Sequence, residues 1–330
     1  MKVRGRLFIS ILIIIILAAA AYFTFKTVRS RPLDEDTRIV VILKSLDPTM
    51  EFWDVVEEGV YVAANEFEIK KVEITGPEVE SDVEGQIRIV EETIRSKPDA
   101  IVLAAGDYNM LVPSAERIVK SGIKLVTIDS GLNCDLSRSF IATDNIEAGR
   151  KAGEAMASII EKDSEVAIVS HTRGTATAIE REQGVRESLS KYPSIKILDT
   201  FFSDNDQENA YRITENLLKS NPGIRGIIGL NETSTKGVAR AIKELGMKNK
   251  VKLVGFDNSI EEIKYIEEGI IQAIVVQNPF NMGYRGIEMA VKVLKGEKVE
   301  KRIDTGSVVV TKENMYTSEN QKLLFPFIDR

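Results

Sequence analysis

From Arg38 onward the chain alternates short, unbroken apolar runs with amphipathic stretches, and few folds accept that grammar. The runs are IVVIL (39–43), KVEIT (71–75), AIVLA (100–104), KLVTI (124–128), VAIVS (166–170), IKIL (195–198), GIIGL (226–230), KLVGF (252–256) and AIVVQ (273–277). Most are β-branched and lack the polar alternation of a half-exposed strand. Helical patterns fill the gaps, for example at 51–68, 83–96, 146–161, 178–190, 206–220, 233–245 and 281–295. Buried strands separated by amphipathic helices predict an α/β chain with parallel sheets covered on both faces.

The pattern also repeats. KLVTIDSG (124–131) returns as KLVGFDNS (252–259), and EETIRSKPDAIVLA (91–104) returns as ENLLKSNPGIRGIIG (215–229). Glu91/Glu215, Ile94/Leu218, Arg95/Lys219, Ser96/Ser220 and Pro98/Pro222 fall in register, each copy reading helix, turn, strand. One match is ordinary helix–strand convergence. Two in the same order predict a duplicated, doubly wound domain, roughly 38–143 and 144–277.

Ligands of open parallel sheets bind beyond the carboxyl ends of the strands. Asp129 and Asp257 sit at equivalent ends, so two facing domains put both carboxyl groups into one cleft. The alternative for Asp257 is a cap on a helix at 260–268. Asn231, Glu232, Gln277, Asp144 and Asn145 also follow strands, with planar groups suited to neighbouring hydroxyls. Arg181 offers a forked donor from a helix start. Phe52 and Trp53 begin the first helix, as core or as a stacking face for a ligand.

Composition removes several function classes. The net charge of −6 argues against nucleic-acid binding, which needs a basic face. The single cysteine, Cys134, excludes an internal disulfide and a cysteine metal site. The single histidine, His171, leaves no His–His metal pair and argues against a triad enzyme; its place in SHTRGT reads as a solvated loop. Cofactor and metal are expected to be absent.

Residues 7–25, LFISILIIIILAAAAYFTF, carry no charge and follow Lys2, Arg4 and Arg6. That length approaches a bilayer span, and the basic flank predicts a cytoplasmic start with the remainder exported. A retained transmembrane helix is favoured over a cleaved signal peptide, for which AAAA offers a peptidase site. No cysteine lies nearby to carry a lipid. Residues 1–31 are thus read as anchor or signal segment and linker. The protein is placed at the cell membrane with its binding domain outside the cytoplasm, or secreted or periplasmic if the segment is cut.

GFDNSIEEIKYIEEG and QNPFNMGYRGIEMAVKVLKGE, with IDSGL, ATDNIEAGRKAGE and GTATAIEREQGVRESL in order before them, resemble the ribose-binding-protein group of type I periplasmic binding proteins over about residues 38–318. The resemblance implies two Rossmann-like lobes joined by three crossovers, 38–143 plus 278–306 and 144–277 plus 307–330. It implies closure on a small ligand, usually a monosaccharide, without catalysis. The family's ligand contacts fall on Phe52, Trp53, Asp129, Arg181, Asn231, Asp257 and Gln277, with Ser45, Thr143 and Asn205 nearby. Three departures stand out: Ser130 replaces the arginine that usually follows the first acid, Ala105 replaces a polar residue, and MEFW replaces a proline-containing aromatic pair. Ser130 is therefore the position expected to mark a change of sugar, to another pentose, a hexose or a sugar-like signal. The implied partner is the permease of an ABC importer, or a membrane sensor kinase or chemoreceptor. A repressor of this fold would need a helix-turn-helix at the N-terminus, where this chain has an apolar segment. A glycosidase using Asp129 and Asp257 as acid and nucleophile is the enzyme alternative.

Overall fold

The computed structural model describes residues 33–325. The anchor or signal segment read at residues 1–31 lies outside them. Among the described residues no helix is long and apolar enough to cross a membrane.

Two six-stranded sheets form the two lobes. The first is built from β1 (Arg38–Ile42), β2 (Lys71–Thr75), β3 (Ala100–Leu103), β4 (Lys124–Ile128), β5 (Phe140–Ala142) and β11 (Arg302–Asp304). The second takes β6 (Glu165–Ser170), β7 (Lys196–Phe202), β8 (Ile224–Gly229), β9 (Lys252–Phe256), β10 (Ala273–Val276) and β12 (Val308–Thr311). Their orders are β11-β5-β4-β3-β1-β2 and β12-β10-β9-β8-β6-β7, the same winding twice. All pairings are parallel except β10 with β12. The repeated phrases occupy matching places, KLV on β4 and β9 and the Ser-x-Pro turns before β3 and β8. Central strands such as β1 and β3 are buried on both faces, which is why their sequences run apolar. The sheet-edge strands β2 and β7 carry exposed polar residues instead.

The helices are α1 (Glu51–Glu66), α2 (Val83–Arg95), α3 (Val112–Lys120), α4 (Asn145–Ile159), α5 (Ala176–Leu189), α6 (Gln207–Ser220), α7 (Glu232–Glu244), α8 (Ile260–Glu267), α9 (Pro279–Leu294) and α10 (Ser318–Leu324). The chain passes between lobes three times: from β5 into α4, from β10 into α9, and from β11 to β12. Thr143, Thr305 and Gly306 lie side by side in two of these passages, the Thr143 hydroxyl 3.4 Å from Thr305 Oγ1 and 3.3 Å from the Gly306 carbonyl.

Each crossing helix docks on its new lobe through a pair of glycines. In the first lobe a Cβ on Gly283 of α9 would lie 2.0 Å from the Val56 carbonyl, and one on Gly59 of α1 would lie 2.1 Å from that of Phe280. In the second, Gly184 of α5 meets Ile146 at 2.0 Å and Gly149 of α4 meets Arg181 at 2.2 Å, again carbonyl oxygens. The obstacles are backbone, so a side chain forces the helices apart. Gly283→Ala is expected to cost about 1–3 kcal/mol by overpacking, read as a melting point lower by about 2–4 °C per kcal/mol.

Candidate functional site

Helices α1, α5 and α7 start at the carboxyl ends of β1, β6 and β8, so their positive ends point into the space between the lobes. The site forms there, as a cavity of about 30 Å³ lined by residues of both lobes. The lobes touch across it: the Phe52 amide donates to Glu232 Oε2 at 3.2 Å, and Lys236 Nζ donates to the Thr49 carbonyl at 3.2 Å. Asn205 Nδ2 donates to Glu80 Oε2 at 3.3 Å.

The repeated acids take matching geometry. Asp129 and Asp257 both have left-handed backbone, φ 58° and 71°. Each donates its amide to the next strand, to Ile141 and Val275 respectively, both at 2.9 Å. The turn aims both carboxyl groups into the cavity. Asp257 does not cap the helix after it; Ser259 does, accepting from the Glu262 amide at 3.2 Å.

Around Asp257 the site is closely bonded. Its Oδ2 accepts from the Glu232 amide at 3.0 Å, and its other oxygen accepts from Gln277 Nε2. Arg181 lies 3.9 Å away, its Nε donating to Asn145 Oδ1 at 2.9 Å and its Nη1 to the Leu230 carbonyl at 2.7 Å. Burial raises the Asp257 pKa, with Arg181 opposing. Asn231 caps α7 by accepting from the Ser234 amide at 3.0 Å.

The first lobe answers with Lys44, at the end of β1. Its ammonium sits 2.7 Å from Asp129 Oδ2 and 3.9 Å from Glu80 Oε1, all three groups being buried. It reaches across the cleft to Thr177 Oγ1 at 3.4 Å. Burial raises the Glu80 pKa, against the pull of Lys44. Phe52 and Trp53 close one side of the cavity, edge to face with ring centroids 5.0 Å apart.

Five polar atoms on cavity residues are buried without a hydrogen-bond partner among the described residues: Trp53 Nε1, Glu80 Oε1, His171 Nδ1, Gln277 Oε1 and Asp129 Oδ2, the last of which has its ion pair with Lys44. Unpaired buried polar groups are costly, so a cluster of them fits a hydroxyl-rich occupant.

Residues 39–298 match the family model described as a periplasmic binding protein domain. The chain belongs to the periplasmic binding protein family. This binding protein is similar to the D-allose-binding periplasmic protein of Escherichia coli, 31% identical over 78% of this chain and 85% of that one. Among solved structures it is similar to a sugar transporter from Clostridium phytofermentans, with TM-score 0.78 and 41% identity over 84% of this chain and 100% of the other. It also resembles an ABC transporter solute-binding protein from Agrobacterium vitis with bound D-fucose, with TM-score 0.84 and 34% identity over 87% and 100% of the two chains. The two-lobed α/β architecture of this binding protein is thus shared along most of its length.

The structure gathers Phe52, Trp53, Asp129, Arg181, Asn231, Asp257 and Gln277 around one cavity. Other candidates stand back from it. Ser130 is buried behind Asp129, and Thr143 lies in the crossover. Asn205 Oδ1 accepts from Asn231 Nδ2 at 2.7 Å while its Nδ2 donates to Glu80, and Ser45 donates to the Glu78 carbonyl at 2.8 Å. Asn145 orients Arg181, and Asp144 caps α4. His171 is not a solvated loop residue: it is 2% exposed and lines the cavity, because the loop folds back so that Thr175 and Thr177 cover its ring. Lys44, Glu80 and Thr177 were not expected there. The charge absent at Ser130 is supplied by Lys44 from another strand.

Glu232 gives this binding protein a pH dependence. Burial pushes its pKa up to about 7, outweighing its pairing with Lys236 at 2.8 Å. A carboxyl group with a raised native pKa favours the folded state at low pH, and that contribution fades as pH rises through the raised value. Stability should therefore decline between about pH 5 and 7.5 through this group. Melting curves of Glu232→Gln should be flatter across that range; an unchanged slope would remove Glu232 as the cause.

Proposed function

We propose that this protein captures a neutral monosaccharide outside the cytoplasm and hands it to the permease of an ABC importer, without catalysis. The observation that carries the reading is the cavity between the lobes, where Lys44 pairs with Asp129 and Arg181 lies beside Asp257 while the neutral Trp53 Nε1, His171 Nδ1 and Gln277 Oε1 stay unpaired. A charged ligand would upset that balance, whereas hydroxyl groups meet the unpaired atoms without adding charge. The lobes are taken as 38–143 plus 278–306 and 144–277 plus 307–330. Asp129 and Lys44 hold one side of the sugar, and Arg181, Asn231, Asp257 and Gln277 the other. Phe52 and Trp53 flank the ring. Thr143 in the crossover, with Ser130 and Asn205 behind the lining, supports the closed arrangement and does not touch ligand.

Closure follows from the division of contacts. Each lobe alone offers half of the partners, so ligand stabilises the state in which both engage. The relatives' own ligands, D-allose and D-fucose among them, favour a sugar of this size. Uptake is favoured over sensing, because solved relatives are described as transporter components. The uncharged segment at 7–25, preceded by basic residues, supports a tether that keeps the protein beside its permease.

Trp53 is the only tryptophan in the chain and lines the cavity, so its emission reports occupancy directly. Titrating the full-length protein with a panel of pentoses, hexoses and 6-deoxyhexoses should yield one or a few saturable changes, each accompanied by a rise in melting temperature. A flat response across the panel would sink the sugar reading, and recovery of cleaved glycoside would overturn the absence of catalysis.

A further inference from the structure

His171 is the only histidine in the chain, and its ring lies in the wall of the cavity. Its Nε2 is 3.0 Å from Thr177 Oγ1 and 3.1 Å from Thr175 Oγ1, while Nδ1 has no hydrogen-bond partner among the described residues. Burial, reinforced by Arg181 and Lys44, holds its pKa well below the ordinary value, so the ring is neutral and carries one proton. The hydroxyls beside Nε2 decide where that proton sits. Thr175 Oγ1 already accepts from the Ala178 amide at 3.2 Å and can donate to the Thr172 carbonyl at 3.1 Å. Thr177 Oγ1 faces the Lys44 ammonium at 3.4 Å, and an ammonium only donates. The Thr177 oxygen accepts from Lys44, and its own proton has two acceptors in reach, Thr175 Oγ1 at 3.4 Å and Nε2 at 3.0 Å, of which the imidazole nitrogen is the nearer and the more basic. With Nε2 accepting, the ring proton is on Nδ1.

We propose that His171 is a specificity-determining residue, held by the Lys44–Thr177 contact as the Nδ1–H tautomer so that it donates to one oxygen of the ligand. Lys44 and Thr177 come from different lobes, so the donor is set by closure itself. This inference rests on the sugar reading above and deepens it: the preferred sugar has an acceptor oxygen opposite His171, and the deoxy analogue lacking that oxygen leaves a buried donor unpaired and binds weakly.

A lone histidine makes the test clean. Full-length protein labelled with ¹⁵N-histidine gives one pair of ring-nitrogen resonances. With the sugar that most changes Trp53 emission, Nδ1 should show the protonated-nitrogen shift and move on binding, with Nε2 in the unprotonated range. Two variants separate the ring nitrogens, because an asparagine amide reaches about as far as Nδ1 and a glutamine amide about as far as Nε2. His171→Asn should bind within about threefold of the parent, whereas His171→Gln should bind about tenfold more weakly. His171→Gln should also lose the parent's discrimination against one monodeoxy analogue. Sugar binding with the proton on Nε2, or with equal affinities for the two variants, overturns the role given to His171. Failure of every sugar to bind would instead overturn the sugar reading itself, and this role with it.

Discussion

Asp257→Asn is expected to weaken sugar binding by about 100-fold while leaving the ligand-free protein folded. Asparagine is the right probe because the position has φ 71°, a conformation that Asp, Asn and Gly accept and other side chains resist. The two carboxyl oxygens both face protein donors, the Glu232 amide and Gln277 Nε2. An amide side chain has one oxygen, so its NH₂ must oppose one of those donors, and Gln277 turns away from the cavity. The negative charge beside Arg181 is lost as well, at 3.9 Å in a buried site. The loss of a charge-assisted hydrogen bond plus a misdirected partner supports the size of the effect. Burial already raises the Asp257 pKa, so removing the charge relieves a desolvation cost, and buried Arg181 keeps its bonds to Asn145 and the Leu230 carbonyl, so the ligand-free protein should stay folded with a modestly lower melting point. Trp53 titrations and melting curves read the two quantities separately. Parent-like affinity would show that Asp257 does not contact ligand.

Lys44→Met should damage the fold as well as the site. The ammonium lies between Asp129 and Glu80, at 2.7 and 3.9 Å, with 3–4% of each side chain exposed. Methionine fills similar space but leaves two buried carboxyl groups without their cation. Breaking such a pair from one side costs about 3–5 kcal/mol, or a melting point lower by about 10 °C. The deficit should shrink as pH falls. Lys44 is the main influence holding the Glu80 pKa down against burial, so without it the native carboxyl group binds its proton more tightly. Protons taken up by the folded state stabilise it at low pH, and that benefit is lost as pH rises. Adding Glu80→Gln should recover part of the loss at neutral pH. A variant as stable as the parent at every pH would show that the pair is worth nothing to the fold.

Legibility differed by element. Central strands were legible because burial on both faces writes an unbroken apolar run, and the duplication showed in the shared order of β3–β4 and β8–β9. The strands β11 and β12 are not legible in the sequence; Arg302–Asp304 carries a single apolar residue between two charges. Within the site, residues at strand ends were legible because parallel sheets put them at one edge. Lys44 was not, since lysine is among the least buried residue types and its partners come from the β4 end and the loop after β2. Glu80 sits in the acidic loop PEVESD, which reads as solvated until Lys44 is placed against it. The burial of His171 depends on a loop path that hydropathy does not encode.

The left-handed turns at Asp129 and Asp257 limit how such a cleft can be retargeted. At those two positions the backbone favours aspartate, asparagine and glycine over longer side chains, and of these only the first supplies charge. A new ligand preference is therefore hard to reach by rewriting the duplicated acids. His171 and Thr177 line the cavity on ordinary backbone and carry no such restriction, so libraries built to change the sugar should leave the acids and Lys44 fixed and vary these two.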